Sequence, residues 1–294
     1  MRIKSPVRFI VAIVTVLIII WMCYNFVIAL QTGETFSFFG NGMRSGDAET
    51  FVVAGVDEDG YRTDLILLCQ INRADKRIQI LQIPRDTRVN NKRNDKKINS
   101  AYYSGFDVMS REIAQVTGIT PEHYVMVGFD GFQEIVDAVG GVTLEIPFAM
   151  KYEDPAQDLY IDLPAGKQKL NGEKAEMYMR YRKGNDGNGY AEGDVGRLSA
   201  QKELYNAVGD KLLSPLGLLH LPAVYAAVKK NTETDFTGGE IFGIMRDVMR
   251  IGKDRVTIDT LPGSGKYVGG VSYFVYDAKA TEKLVAEKFV ETQK

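Results

Sequence analysis

The chain has 294 residues, 45% hydrophobic and 25% charged, enough for one large domain or two small ones with a real core. A formal net charge of −2 gives a nucleic-acid partner no support. Two cysteines and two histidines leave no disulfide framework and argue against a zinc site or a histidine-based triad.

In chain order, the first feature is FIVAIVTVLIIIWMCYNFVIAL, Phe9 to Leu30, 22 residues without a charge. About 20 apolar residues span a bilayer, and no small-residue cleavage pattern follows, so the run is read as a retained membrane anchor. A buried core helix is the alternative. Arg2, Lys4 and Arg8 precede it, which predicts a cytoplasmic segment 1–8, a transmembrane helix 9–30 and a single-pass protein of the cell membrane with everything beyond outside. Without those three cations, 33 Lys+Arg face 38 Asp+Glu, so the exported part is mildly acidic. Residues 31–49 are rich in Gly, Ser and Thr and read as a tether, leaving 50–294 as the extracellular domain.

That domain opens with strand-like runs at 50–56, 64–71 and 77–83, followed by helical spacing over 107–117 and a strand at 123–129. DGFQEIVDAVGG predicts a helix with Asp130 and Gln133 in a capping box and Gly140-Gly141 at its end. A strand at 142–146 comes next, and 147–170 reads as an irregular acidic loop. Helices are predicted at 171–180, 194–213, 215–229 and 237–250, with strands at 255–261 and 271–276 and a final helix from Asp277. The fold class is α/β (α+β): a mixed, mostly antiparallel central sheet flanked by helices, behind one N-terminal transmembrane helix.

Chemistry concentrates in two groups. If strands 64–71 and 77–83 form a hairpin with Ile71 opposite Ile78, Asp64 lies opposite Arg85. Asp57, Arg62, Asp64, Arg85 and Asp86 then converge on one rim, with six Lys or Arg between Arg85 and Lys97. Surface salt bridges account for such a cluster; so does a hard-cation site on Asp57 and Asp64 beside arginines that accept phosphate in their forked donors. In the second group, Arg180 and Arg182 share one side if the chain is extended there and diverge if it is helical. Asp194, Arg197 and Gln201 fall on one helical face, which is either a solvated surface or a second wall of the same site.

The ordered string GVDEDGYRTD, IPRDTRV, KINSAY, VDAVGGV, LNGEKAEMYMRYR and DVGRLSAQ resembles the LytR-CpsA-Psr family of Gram-positive bacteria. The resemblance runs from about residue 50 to 210. It implies a phosphotransferase that moves an anionic glycopolymer, such as wall teichoic acid or capsular polysaccharide, from an undecaprenyl-pyrophosphate carrier to peptidoglycan. It places Asp57 and Asp64 on the family's divalent-metal positions, for Mg²⁺ or Mn²⁺. Arg85, Arg180, Arg182, Arg197 and Gln201 match its pyrophosphate-binding positions, with Arg62 and Asp194 on further motif positions of substrate binding and catalysis. Transfer to a sugar hydroxyl then needs charge neutralisation and alignment around Asp64 and Arg85, with Asp194 or a metal-ordered carboxylate as base. YVMVGF and FQEIVDAVGG offer apolar residues for an isoprenoid slot, or simply for the core. Ala200 departs from the family's Arg-Gln pair. A non-catalytic binder of the lipid pyrophosphate, and a transcriptional regulator, are the competing readings; the latter lacks any helix-turn-helix signal or basic domain.

Overall fold

A computed structural model describes residues 48–56, 62–155, 159–190, 194–214 and 217–289, without the side chains of residues 194, 195 and 218. The predicted anchor, nearly all of the tether, and Asp57 lie outside these residues.

Three strands open the fold: β1 (Ala48–Val56), β2 (Thr63–Asn72) and β3 (Arg77–Gln82). Helix α1 (Phe106–Thr117), strand β4 (His123–Val127) and helix α2 (Phe129–Ala138) follow. Then come β5 (Val142–Ile146), β6 (Met150–Asp154), β7 (Leu159–Leu163) and β8 (Gly166–Leu170). Helices α3 (Gly172–Arg180), α4 (Asp194–Leu212) and α5 (Leu221–Asn231) lead to β9 (Thr232–Thr234) and α6 (Gly238–Ile251). The chain closes on β10 (Val256–Thr260), β11 (Gly263–Val268), β12 (Val271–Tyr276) and α7 (Ala278–Lys288).

The central sheet runs β10-β3-β2-β1-β4-β9. Its β10–β3 and β1–β4 pairs are parallel and the other three antiparallel, as a mixed sheet requires. Both faces are covered, so its inner strands are apolar on alternate residues in both directions. Val52, Ala54, Ile66, Leu68, Leu81 and Ile83 pack with Met109 and Ile113 of α1 on one face. Phe51, Leu67, Cys69, Ile71 and Ile78 pack under α6 on the other, around Ile241. A third core belongs to the β5–β8 and β6–β7 ribbons with α3 and α4, centred on Val136, Leu144, Ile161, Leu170, Tyr178 and Leu204.

Four expectations are corrected here. The segment 147–170 holds three strands, because Met150, Ile161, Leu163 and Leu170 bury their side chains while charged neighbours point out. Helix α2 is capped at Gly128 without a side-chain bond, and the Gln133 amide instead donates to Glu176 Oε2 at 2.6 Å. Strand β1 begins at Ala48, two residues inside the expected tether. The stretch expected as a helix over 215–229 has a 3₁₀ turn at Gly217–His220 before α5 begins.

Candidate functional site

The β2–β3 register pairs Ile71 with Ile78, and the Ile83 N–H donates to Ile66 O at 2.9 Å beyond the last paired residues. Carried outward, that register sets Arg85 opposite Asp64, and the Arg85 guanidinium donates to the Asp64 carboxylate. At the same end β1 finishes in a register shift at Gly55/Val56, the kind of irregularity that re-aims a strand end beside a site.

From the third core, α3 ends at Arg180 and the chain turns extended at Tyr181 (φ −60°, ψ 130°). Tyr181 is buried and its hydroxyl donates to Asn188 O at 2.8 Å. An extended residue pinned inward between them leaves Arg180 and Arg182 on the same side, which resolves the alternative left by the sequence. One turn along α4 from Arg197, Gln201 is buried, and donates through Nε2 to Met179 O at 3.2 Å.

These pieces enclose a cavity of about 360 Å³ between the sheet end and the third core. Its polar wall is Asp64, Arg85, Arg180, Arg182, Lys183, Arg197 and Gln201. Val127, Phe129, Phe132, Tyr152, Leu159 and Met179 supply apolar wall. Among the described residues five cations and one carboxylate line it, so the interior favours an anion. Arg180 is held in place: its Nη1 donates to Glu176 Oε1 at 2.8 Å and its guanidinium sits 4.5 Å from the Phe129 ring centroid. Close approach of α3 to α2 permits this, since a Cβ on Gly172 would stand 2.3 Å from Gln133 O.

Not every rim residue reaches the cavity. Arg62 is 57% exposed and pairs with Asp95 at 3.4 Å, and Asp86 pairs with Lys97 at 2.8 Å. Within the basic run only Arg85 lines the wall; Arg93, for example, is bidentate to Glu112. Asp194 begins α4, but its side chain lies outside the description, as does all of Asp57. Ala200 is buried in the third core and is not on the cavity wall. Lys183 and Tyr152 were missed by sequence reasoning, whereas Phe129 and Phe132 stand in the YVMVGF and FQEIVDAVGG segments that offered apolar residues for a slot. Only the position of Lys183 right after Arg182 hinted at it.

Among the described residues no three His, Cys, Asp or Glu cluster to cage a metal. Mg²⁺ needs no such cage: it binds one or two carboxylates together with waters and substrate phosphate oxygens, and Asp64 offers a hard oxygen donor beside anion-binding arginines.

Residues 30–289 match the LytR_cpsA_psr family. TagV of Bacillus subtilis, a polyisoprenyl-teichoic acid–peptidoglycan teichoic acid transferase, is 31% identical over 233 residues, covering 76% of this chain and 58% of the relative. The Enterococcus faecalis TagU transferase is 30% identical over 263 residues, covering 88% and 80%. The crystal structure of B. subtilis TagV superposes with a TM-score of 0.68 at 25% identity, covering 83% of this chain and 96% of that one.

Proposed function

The chain belongs to the LytR_cpsA_psr family, and we propose that it is a transferase moving an anionic glycopolymer from a polyisoprenyl-pyrophosphate carrier to peptidoglycan. A teichoic acid is the polymer in the names of these relatives and the one favoured for this chain, with a capsular polysaccharide as the other class. The carrying observation is the cavity in which Arg85, Arg180, Arg182 and Arg197 from separate elements face one space beside Asp64.

In this reading the diphosphate sits among the four guanidiniums, with Lys183 and Gln201 adding donors. Guanidinium forks match phosphate oxygens in pairs, fixing the head group as well as attracting it. Glu176 and the Phe129 ring hold Arg180 in position before the substrate arrives. The apolar wall around Phe132, Leu159 and Met179 accommodates the first isoprene units and excludes water.

An acceptor sugar hydroxyl attacks the phosphorus attached to the glycopolymer. A new phosphorus–oxygen bond to the acceptor forms, the bridging bond of the diphosphate breaks, and polyisoprenyl phosphate departs. The hydroxyl proton passes to a carboxylate, for which Asp64 and Asp194 are the candidates. The leaving phosphate carries growing negative charge, which Arg85 and Arg197 neutralise. Mg²⁺ or Mn²⁺, held by Asp64 with Asp57, would add charge neutralisation on the diphosphate oxygens. Residues 9–30 would fix the chain in the cell membrane, with the domain outside among its lipid-linked donor and wall acceptor.

The test uses full-length chain in detergent with Mg²⁺, carrier-linked saccharide and peptidoglycan fragments. Saccharide covalently attached to the fragments supports the transferase. Carrier binding without any product replaces it with a scaffold.

A further inference from the structure

Most of the basic run after β3 stays out of the cavity, and its Asp86–Arg88 segment and Lys97 lie against the β11–β12 hairpin. The Arg88 N–H donates to Phe274 O and the Phe274 N–H to Asp86 O, both at 2.9 Å. Hairpin register pairs Lys266 with Tyr273 and Val268 with Val271, so these four side chains share one face. The Arg88 and Lys97 cations lie 5.7 and 6.0 Å from the Tyr273 ring centroid. Phe274 and Tyr276 point the other way, into the core beneath.

The tip reverses at Gly269-Gly270, where positive φ angles of 59° and 81° suit the tight turn that glycine permits. Around it Val268 and Val271 are 38% and 44% exposed and Tyr267 is 81% exposed. Between positions 85 and 97 six cations face two acids, Asp86 and Asp95, and both acids already pair with Lys97 and Arg62. Arg88, Lys92 and Lys266 are exposed.

We propose that this hairpin docks tip-first on an anionic lipid bilayer. Val268, Val271 and Tyr267 enter the interface while Lys266, Arg88 and Lys92 meet headgroup phosphates. At about 3.4 Å per strand residue, Val268 lies roughly 7 Å beyond Lys266. That offset matches the depth of roughly 5–10 Å to which interfacial apolar side chains sink past the charged layer. Each basic residue at the surface strengthens attraction to anionic lipid about fivefold. Because the hairpin hangs from the loop that follows Arg85, docking brings the cavity end of the sheet to the bilayer. This goes beyond the transferase reading, for it concerns the surface on which the domain rests.

The experiment reads position directly. Trp21 is the one tryptophan, so full-length chain with Trp21→Phe and Val268→Trp reports from the tip alone. It is reconstituted in neutral phosphatidylcholine vesicles, or in vesicles containing anionic phosphatidylglycerol, with and without brominated acyl chains. In anionic vesicles the indole emission is expected to shift to the blue and to be quenched by bromine. Quenching should fall several-fold when Arg88→Gln, Lys92→Gln and Lys266→Gln are added, and again in high salt. Water-like, unquenched emission in anionic vesicles overturns the docking surface. Equal quenching in neutral vesicles, or no change in the triple variant, overturns its electrostatic part. These outcomes do not depend on any transfer activity. Where transfer is measurable, Val268→Asp should lower it from vesicle-embedded carrier only; an equal loss from detergent-dispersed carrier would overturn the assignment in favour of a role in transfer itself.

Discussion

Gln82 and Gln201 meet amide to amide: Nε2 of Gln82 donates to Oε1 of Gln201 at 3.0 Å, while Thr260 Oγ1 donates to Gln82 Oε1 at 3.4 Å. With the Gln201 bond to Met179 O, a continuous line of side chains joins β10, β3, α4 and α3 beneath the cavity. The last third of the chain therefore supports the site through Thr260. Gln82→Leu is expected to cost about 1–3 kcal/mol, because it leaves a buried amide without its partner. Urea denaturation checks the stability, and a transfer assay should show an additional loss from a misoriented Gln201. Unchanged stability and rate would mean the line is incidental.

Arg85 is the one residue of the basic run that lines the cavity. Replacing it with Ala should lower transfer roughly a hundredfold, the usual effect of removing one charge-stabilising donor, with an unaltered fold by circular dichroism. Arg85→Lys should fall between, keeping the charge but losing the fork. Chelating divalent cations should lower the wild-type rate, and should add little to the defect of Asp64→Asn. A further drop of similar size in that variant would take Asp64 out of metal binding.

Glu176 is buried and bonded to both Gln133 and Arg180, so its role is to hold the Arg180 guanidinium. Glu176→Ala should raise KM for the lipid donor more than it lowers kcat, and Glu176→Gln should recover part of the loss. Equal effects of both substitutions on kcat alone would argue that Glu176 takes part in the chemistry instead.

The sequence foretold the sheet wherever apolar periodicity was strong. The Ile71–Ile78 register follows from two alternating runs across a short turn, and it alone carries Arg85 to Asp64. Strands β6, β7 and β8 escaped because each buries only one or two residues and turns charge outward, which in a sequence looks like a polar loop. Strand β11 escaped because all six of its residues are exposed and two of them are glycines, which leaves no apolar alternation to read. Asp130 and Gln133 have capping-box spacing, but tertiary contact with Glu176 claims the glutamine. The union of Arg180 and Arg182 with the sheet rim was beyond local pattern, since it depends on Tyr181 finding its pocket in the third core.

Alkaline stability follows from buried phenols. Burial, reinforced by the neighbouring Glu203 carboxylate, pushes Tyr178 well above the ordinary value of 10.0. Burial does the same to Tyr190 and Tyr205. These groups keep their protons in the folded chain while the unfolded chain loses them, so their contribution is intact below about pH 10 and is lost as pH rises further. Cys69, pushed up by burial from 9.0 to about 12, adds a loss of the same sign from about pH 9. The urea midpoint should therefore hold steady at neutral pH and fall through the alkaline range; a constant midpoint there contradicts the burial of these side chains.

Cys69 also predicts a reactivity. In a Cys23→Ser chain the remaining thiol is buried and protonated, so an aromatic disulfide reagent at mildly alkaline pH should label it only as the protein unfolds. Rapid labelling of native protein would show that this face of the sheet opens.

The central claim is that guanidiniums from the sheet rim, from the end of α3 and from α4 share one diphosphate site. Its most direct measurement is the affinity of a short polyisoprenyl pyrophosphate for wild-type chain and for Arg85→Ala, Arg180→Ala and Arg197→Ala, compared with the monophosphate. Each substitution should weaken pyrophosphate binding about tenfold or more, as loss of a charged hydrogen bond worth roughly 1.5–3 kcal/mol requires, and the monophosphate should bind less tightly throughout. Pyrophosphate affinity that is indifferent to all three arginines would contradict it.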